Sequence, residues 1–357
     1  MEHGGDIYRN RISYDFSVNI NPLGMPDGVK KALHRAVKSS TQYPDIQSEQ
    51  LINVLAAYLN CDPSWILCGN GASELFTAIM HARISKRIAD RSVIDRSVVD
   101  TKWILDPMPS FAGYLSAAQS IGAQVIPYFL SSDHDFELEQ DICNVLTKDV
   151  DMLFLANPNN PTGKLINPTV LEYILKHCLE KNILVVLDEC FIELAGAEKQ
   201  SMKSQLEKYP NLIIVRAFTK TFGIPGVRLG YLLCSEPSVR KAIKEQLPEW
   251  NLSVFAQTAG VAACREETFL RESISMIQKE REYLKMQLER LDMKVFPSDA
   301  NFLLFQSGLS LYDLLLKEQI LIRDCSDFMG LEKGYYRVAV KTRIENEQLI
   351  RCLERIK

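Results

Sequence analysis

Three residues of this 357-residue chain have side chains suited to one shared chemistry: Asn160, Asp188 and Lys220. Lys220 follows the apolar run 212–215 in Arg216-Ala-Phe-Thr-Lys220-Thr-Phe-Gly-Ile-Pro-Gly-Val-Arg228. Asp188 closes a second run, Ile183-Leu-Val-Val-Leu187-Asp188, and Asn160 lies in Asn157-Pro-Asn-Asn160-Pro-Thr-Gly163. An α/β protein collects reactive groups where its strands end, and Gly/Pro-rich sequence marks such ends. A lysine amine can condense with an aldehyde, a carboxylate can keep a pyridine nitrogen protonated, and an amide can reach a ring oxygen. One cofactor needs all three, pyridoxal 5'-phosphate (PLP), whose ring accepts electrons from a carbanion. Taken singly, Lys220 would be a solvated lysine and Asp188 a strand-end cap. Their combination predicts the cofactor.

A phosphate needs its own site. In Gly69-Asn-Gly71-Ala72-Ser73-Glu a strand turns into a helix from Ala72, and free N–H groups at a helix start favour an anion. Arg228, eight residues after Lys220, offers a bidentate cation, and Thr219 offers a hydroxyl. A glycine turn alone is most often only a tight turn; Arg228 at this spacing from Lys220 gives it weight.

The elements that would position these groups are legible as pattern. Residues 1–25 read as an extended arm rich in Gly, Asn and Pro, and 26–38 and 46–60 carry helical spacing. Strands are expected at 65–68, 102–106, 123–128, 151–156, 183–188, 211–216 and 228–234, with mostly helix-length segments between them. Continuous apolar strands suit a mostly parallel sheet covered on both faces by helices, an α/β fold. Beyond 236 come long helices, a charged one at 278–290 among them. Short strands follow at 294–296, 301–305, 320–322 and 335–340, and a last helix ends a smaller α+β unit. The expected organisation is an arm at 1–25 packing with the small domain, a large domain at 26–235 and a small C-terminal domain at 236–357. The polar stretch 84–100, with the near-duplicate Asp-Arg-Ser-Val-Ile-Asp-Arg-Ser-Val-Val-Asp, reads as a mobile surface insertion without chemistry.

Composition excludes other classes. A 46% hydrophobic chain of this length can bury a large core, and a net charge of −4 gives no reason to expect nucleic acid or a membrane surface. The nine cysteines are scattered with no Cys-x-x-Cys pair, and the five histidines are dispersed, so no metal site is expected. Reduced thiols and the lack of an apolar N-terminal run predict a cytoplasmic protein with no leader and no membrane span.

The motifs quoted above, with Gly226-Val-Arg228-Leu-Gly-Tyr, together resemble the fold-type I PLP aminotransferases, most of all the histidinol-phosphate aminotransferase branch. The resemblance covers nearly the whole chain apart from 84–100. Within that branch, three stretches are similar to the threonine-phosphate decarboxylases of cobalamin biosynthesis. They are His3-Gly-Gly with Asp15-Phe-Ser-Val-Asn19-Ile-Asn21-Pro-Leu-Gly, then Asp188-Glu-Cys-Phe191-Ile, then Ile320-Leu-Ile-Arg323-Asp-Cys with Gly334-Tyr-Tyr-Arg337.

The resemblance implies residue roles. Lys220 would be the Schiff-base lysine, Asp188 the partner of the pyridine nitrogen and Asn160 that of the ring hydroxyl. Gly71, Ala72, Thr219 and Arg228 would surround the cofactor phosphate, and Tyr43 would reach it from the other subunit of a homodimer. Phe111 would stack on the ring. Arg337 would hold the substrate carboxylate with Arg323 nearby, and His3 and Asn21 would line the end that receives a substrate phosphate. Bland alternatives exist: core aromatics for Phe111 and Tyr43, a surface ion pair for Arg323 and a frayed terminus for His3.

Two positions depart from the aminotransferase pattern. Position 191 is Phe where a Tyr usually contacts the ring oxygen, which leaves Asn160 as sole partner and favours the decarboxylase side. Position 217 is Ala where relatives present Ser or Thr to the phosphate, a loss of about 0.5–1.5 kcal/mol. The implied substrate is a phosphorylated amino acid: O-phospho-L-threonine decarboxylated to (R)-1-aminopropan-2-ol phosphate, with O-phospho-L-serine as a second substrate. The alternative is transamination of histidinol phosphate with 2-oxoglutarate. A transcription regulator built on the same fold would need a DNA-binding module, and the chain shows no helix-turn-helix and no basic stripe.

Overall fold

The computed structural model describes residues 4–90 and 103–357. Strand β1 (Tyr14–Asp15) precedes helices α1 (Asp27–Ala36) and α2 (Glu49–Leu59). The alternating region runs β2 (Ile66–Gly69), α3 (Ala72–Asp90), β3 (Trp103–Met108), α4 (Ala112–Ser120), β4 (Gln124–Phe129), β5 (Val150–Ala156), α5 (Pro168–Glu180), β6 (Leu184–Asp188), β7 (Leu212–Ala217), α6 (Phe218–Thr221) and β8 (Gly230–Leu233). Its seven strands form one sheet in the order β2-β8-β7-β6-β5-β3-β4, parallel except for β8, which runs antiparallel to both its neighbours. The fold is α/β with a mostly parallel sheet, as the continuous apolar runs imply.

Those runs exist because both faces of the sheet are covered. Leu153, Leu155, Val185, Leu187 and Ile214 point to one side, packing with Leu51, Leu55, Leu171 and Leu175 of α2 and α5. The intervening Met152, Phe154, Val186, Ile213 and Val215 point to the other, where they meet Phe76, Ile79 and Tyr114 of α3 and α4.

Helices α7 (Pro237–Lys244), α8 (Val254–Ala263) and α9 (Glu267–Arg290) follow. Helix α9 begins well before the charged stretch expected at 278–290. Beyond it, β9 (Lys294–Val295), β10 (Phe302–Gln306), α10 (Leu311–Lys317), β11 (Ile320–Leu321), β12 (Arg323–Asp324), β13 (Tyr335–Ala339) and α11 (Arg343–Ile356) complete the chain. An antiparallel sheet, β12-β13-β10-β9, packs under α9, α10 and α11 around Leu284, Leu303, Leu311 and Leu349. The arm is tied here: β1 pairs in parallel with β11, and Phe16 is buried in the same core.

Helix α3 continues to Asp90, so the first part of the expected insertion at 84–100 is helical. The rest of it lies outside the described residues. Among the described residues no helix is long and apolar enough to cross a membrane.

Candidate active site

The C-terminal ends of the central strands stand in register: Ala156 of β5 pairs with Asp188 of β6, and Asp188 with Val215 of β7. Residues leaving these ends therefore share one crevice, with Lys220 just past β7 on the short α6. The crevice encloses about 260 Å³, and its wall includes Phe111, Asn160, Asp188, Lys220, Arg323 and Arg337. Sequence positions more than 200 apart converge here.

Burial sets the electrostatics. It pulls the Lys220 ammonium down to a pKa of about 8, helped by Arg337 and opposed by the Cys190 thiol. It pushes Asp188 up, against hydrogen bonds that favour its charged form. They come from the Cys190 thiol, from the Tyr114 hydroxyl to Oδ2 at 2.5 Å and from the Cys190 N–H to Oδ1 at 2.9 Å. The Arg337 guanidinium donates to Asn160 Oδ1 and, at 2.8 Å, to the Ser17 carbonyl. Its Nε is buried without a partner, and burial lowers its pKa to about 10. Arg323 donates to Asp327 Oδ1 at 2.7 Å and lies over the Phe328 ring.

At the other end, Ala72 and Ser73 open α3, and both line the cavity with Thr219 and Arg228. Gly71 has φ +82°, and a Cβ there would come within 2.5 Å of Arg228 Nη2. Only glycine lets the guanidinium lie against this turn. Phe191 lines the wall edge-on to Phe302, ring centroids 5.2 Å apart, so no hydroxyl reaches the cavity from position 191. Ala217 also lines the cavity, without a hydroxyl.

Two of the expected residues are not in this cluster. Asn21 lies apart from it: its amide holds the arm, donating to the Thr221 carbonyl and Ser273 Oγ and accepting from the Leu23 N–H. It does not line the cavity. Asn19 does, two residues earlier, with its Oδ1 buried and unpartnered. Tyr43 is 82% exposed and packs on Trp250, away from the cavity wall. His3 lies outside the described residues.

Tyr114 and Asn19 were the residues that sequence reasoning missed. The spacing Phe111-Ala-Gly-Tyr114 signals a shared helix face, but nothing in it names Asp188 as the phenol's partner.

The residues fit PLP. A half-buried amine of lowered pKa, a half-buried carboxylate at a strand end, and a helix start beside a glycine-cradled guanidinium match its aldehyde, ring nitrogen and phosphate. The unpartnered Arg337 Nε and Asn19 Oδ1 mark polar capacity left for a ligand.

Known proteins carry the same arrangement of sequence and fold. The chain is 34% identical to the threonine-phosphate decarboxylase of Salmonella typhimurium over 347 residues, covering 96% of this chain and 90% of that protein. The crystal structure of histidinol-phosphate aminotransferase from Clostridium acetobutylicum superposes with a TM-score of 0.87 at 31% identity, covering 96% and 98% of the two chains. That of L-threonine-O-3-phosphate decarboxylase from Porphyromonas gingivalis gives 0.80 at 25% identity with the same coverage. The model of the aminotransferase class I and II family matches residues 11–356. With a fold-type I architecture and a cavity that fits PLP, the chain belongs to the aminotransferase class I and II family of PLP-dependent enzymes.

Proposed function

We propose that this enzyme decarboxylates O-phospho-L-threonine to (R)-1-aminopropan-2-ol phosphate, for the cobalamin side arm, as a cytoplasmic homodimer. The observation that carries this reading is the polar end of the cavity. Arg337 and Arg323 line it together with Asn160 and with Gly4, Ser17 and Asn19 of the arm, and Arg337 donates to the Ser17 carbonyl. Phosphothreonine brings a phosphate and a carboxylate together to such an end; histidinol phosphate brings a phosphate alone, and its acceptor 2-oxoglutarate brings two carboxylates and no phosphate. Phe191 and the 34% identity to a threonine-phosphate decarboxylase point the same way.

When bound, the cofactor supplies an aldehyde for the substrate amine and a ring that accepts the electron pair released at Cα. The chain's residues do the rest. Asp188 would stand at the ring nitrogen, the Asn160 amide would donate to the ring oxygen, and Phe111 would pack on the ring. Gly71, Ala72, Thr219 and Arg228 would hold the cofactor phosphate. Arg337 and Arg323 would hold the substrate's anionic groups and so set which bond at Cα is broken. Lys220 would return a proton to Cα. O-phospho-L-serine differs by one methyl group, a weak handle for discrimination, and is an expected second substrate.

A second reading, transamination of histidinol phosphate, is favoured by the TM-score of 0.87 to an enzyme of that name. One assay separates the two. The purified chain is loaded with PLP and given phosphothreonine, phosphoserine, or histidinol phosphate with 2-oxoglutarate, and carbon dioxide and glutamate are followed. Carbon dioxide from phosphothreonine is expected; glutamate without carbon dioxide would overturn the decarboxylase.

A further inference from the structure

One buried phenol in the site has no task in the chemistry above. Tyr114 is 2% exposed on α4, three residues after Phe111. Its ring lies stacked on Phe154 (centroids 5.0 Å apart) and edge-on to Phe76 (5.0 Å) and Phe111 (5.6 Å). This cage fixes the hydroxyl, which donates to Asp188 Oδ2 at 2.5 Å. The other oxygen of Asp188 accepts from the Cys190 backbone.

The charged and titratable neighbours leave the phenol a distinct part. The Cys190 thiol adjoins Asp188, Glu189 next to it in sequence turns its carboxylate to Arg216, Asp106 of β3 acts on Tyr114, and Lys220 acts on Cys190. Desolvation, and weakly Glu189, disfavour the Asp188 carboxylate, while the Cys190 thiol and backbone and the O–H donated by Tyr114 favour it. A neutral Asp188 could not keep a ring nitrogen protonated. An aromatic cage without the hydroxyl would still fill the space but would supply no donor.

We propose that Tyr114 is a positioning residue that orients Asp188 and holds it ionised, so that the cofactor's ring nitrogen keeps its proton. The inference rests on the PLP reading and on no choice between decarboxylation and transamination.

Cofactor binding to the purified full-length chain tests it, with PLP and with the isosteric analogue carrying C–H in place of the ring nitrogen. Tyr114→Phe keeps the ring among Phe76, Phe111 and Phe154 and removes only the donor. It should weaken PLP about tenfold or more, as loss of a hydrogen bond to a charged group does, and leave the analogue's affinity unchanged. In an Asp188→Asn background the same substitution should add nothing. Equal weakening of both cofactors, or none of PLP, overturns the proposal. A second measurement needs no variant at position 114. In the wild type, the hydroxyl proton resonance of Tyr114 should shift when PLP binds and stay in place with the analogue; a resonance unmoved by PLP also overturns it. If wild-type protein gives no visible absorbance band with PLP on Lys220, the cofactor reading fails instead, which is a separable result.

Discussion

A lysine buried beside guanidinium groups is hard to charge, and Lys220 shows this in its pKa of about 8 against an ordinary 10.5. With the folded value depressed, the unfolded chain binds more protons between those two pH values. Stability contributed by this residue therefore rises with pH through that window, and the penalty is fully present below pH 8. Lys220→Met should stabilise the cofactor-free protein at pH 7 by up to about 3 kcal/mol, an advantage that vanishes above pH 10.5. Urea unfolding of both proteins across pH 7–11 checks it, and a pH-independent difference would refute the linkage. Arg337 differs, since its charge is used. Its guanidinium joins Asn160 to the Ser17 carbonyl, so Arg337→Ala should lower kcat/KM by about a hundredfold, and Arg337→Lys should restore little because one ammonium cannot span both. Steady-state kinetics on the preferred substrate decides this. Three residues of the cavity wall were legible because Lys220, Asp188 and Asn160 sit at or just past the ends of apolar runs. Asn19 was not: it shares its residue type and its extended segment with Asn21, and only the tertiary partners Thr221 and Ser273 show which amide is already spent.

At the scale of elements, the strand ends carrying Asp188 and Lys220 are joined beneath the cavity by a buried ion pair. Arg216, on β7, donates through Nε at 3.0 Å and Nη2 at 2.8 Å to Glu189 Oε2, the residue after Asp188, and through Nη1 to Glu198. The Arg216 and Glu189 side chains are 2% and 0% exposed, and Ser201 and the Met202 N–H complete the carboxylate's shell. Removing one partner strands a buried charge. Arg216→Met alone should cost about 3–5 kcal/mol, whereas combining it with Glu189→Met should recover most of that. A double-mutant cycle by urea unfolding measures the coupling, and additive losses would contradict it. The seven large-sheet strands were legible to within two residues, the central β5, β6 and β7 because both faces are buried, leaving near-unbroken apolar sequence. Strands β1 and β12 were not: each is two residues long, and their pairing is set by β11 and β13 rather than by any local alternation. The start of α9 was also missed, since the charged stretch at 278–290 marks only its later turns.

At the scale of the whole molecule, Tyr43 is the residue without an explanation inside one chain. It is 82% exposed, packed against Trp250 at 5.0 Å in a shallow hollow with Pro44 and Gln257, and it takes no part in the cavity wall. A large aromatic left in solvent beside another half-exposed aromatic suits an interface, and a two-fold dimer would bring each Tyr43 toward the opposite site. The proposal that it completes the cofactor phosphate site of a second copy has a consequence that no single-chain role shares. Lys220→Ala and Tyr43→Ala homodimers should each have little activity. Co-refolded in equal amounts, about half of the dimers are hybrids, and each hybrid has one site with both lesions and one with neither. About a quarter of all sites should then regain wild-type activity. If Tyr43 served its own chain's site, every hybrid site would keep one lesion and mixing would restore nothing. Activity of the mixture against the two parents, with the dimer fraction followed by sedimentation, separates these outcomes.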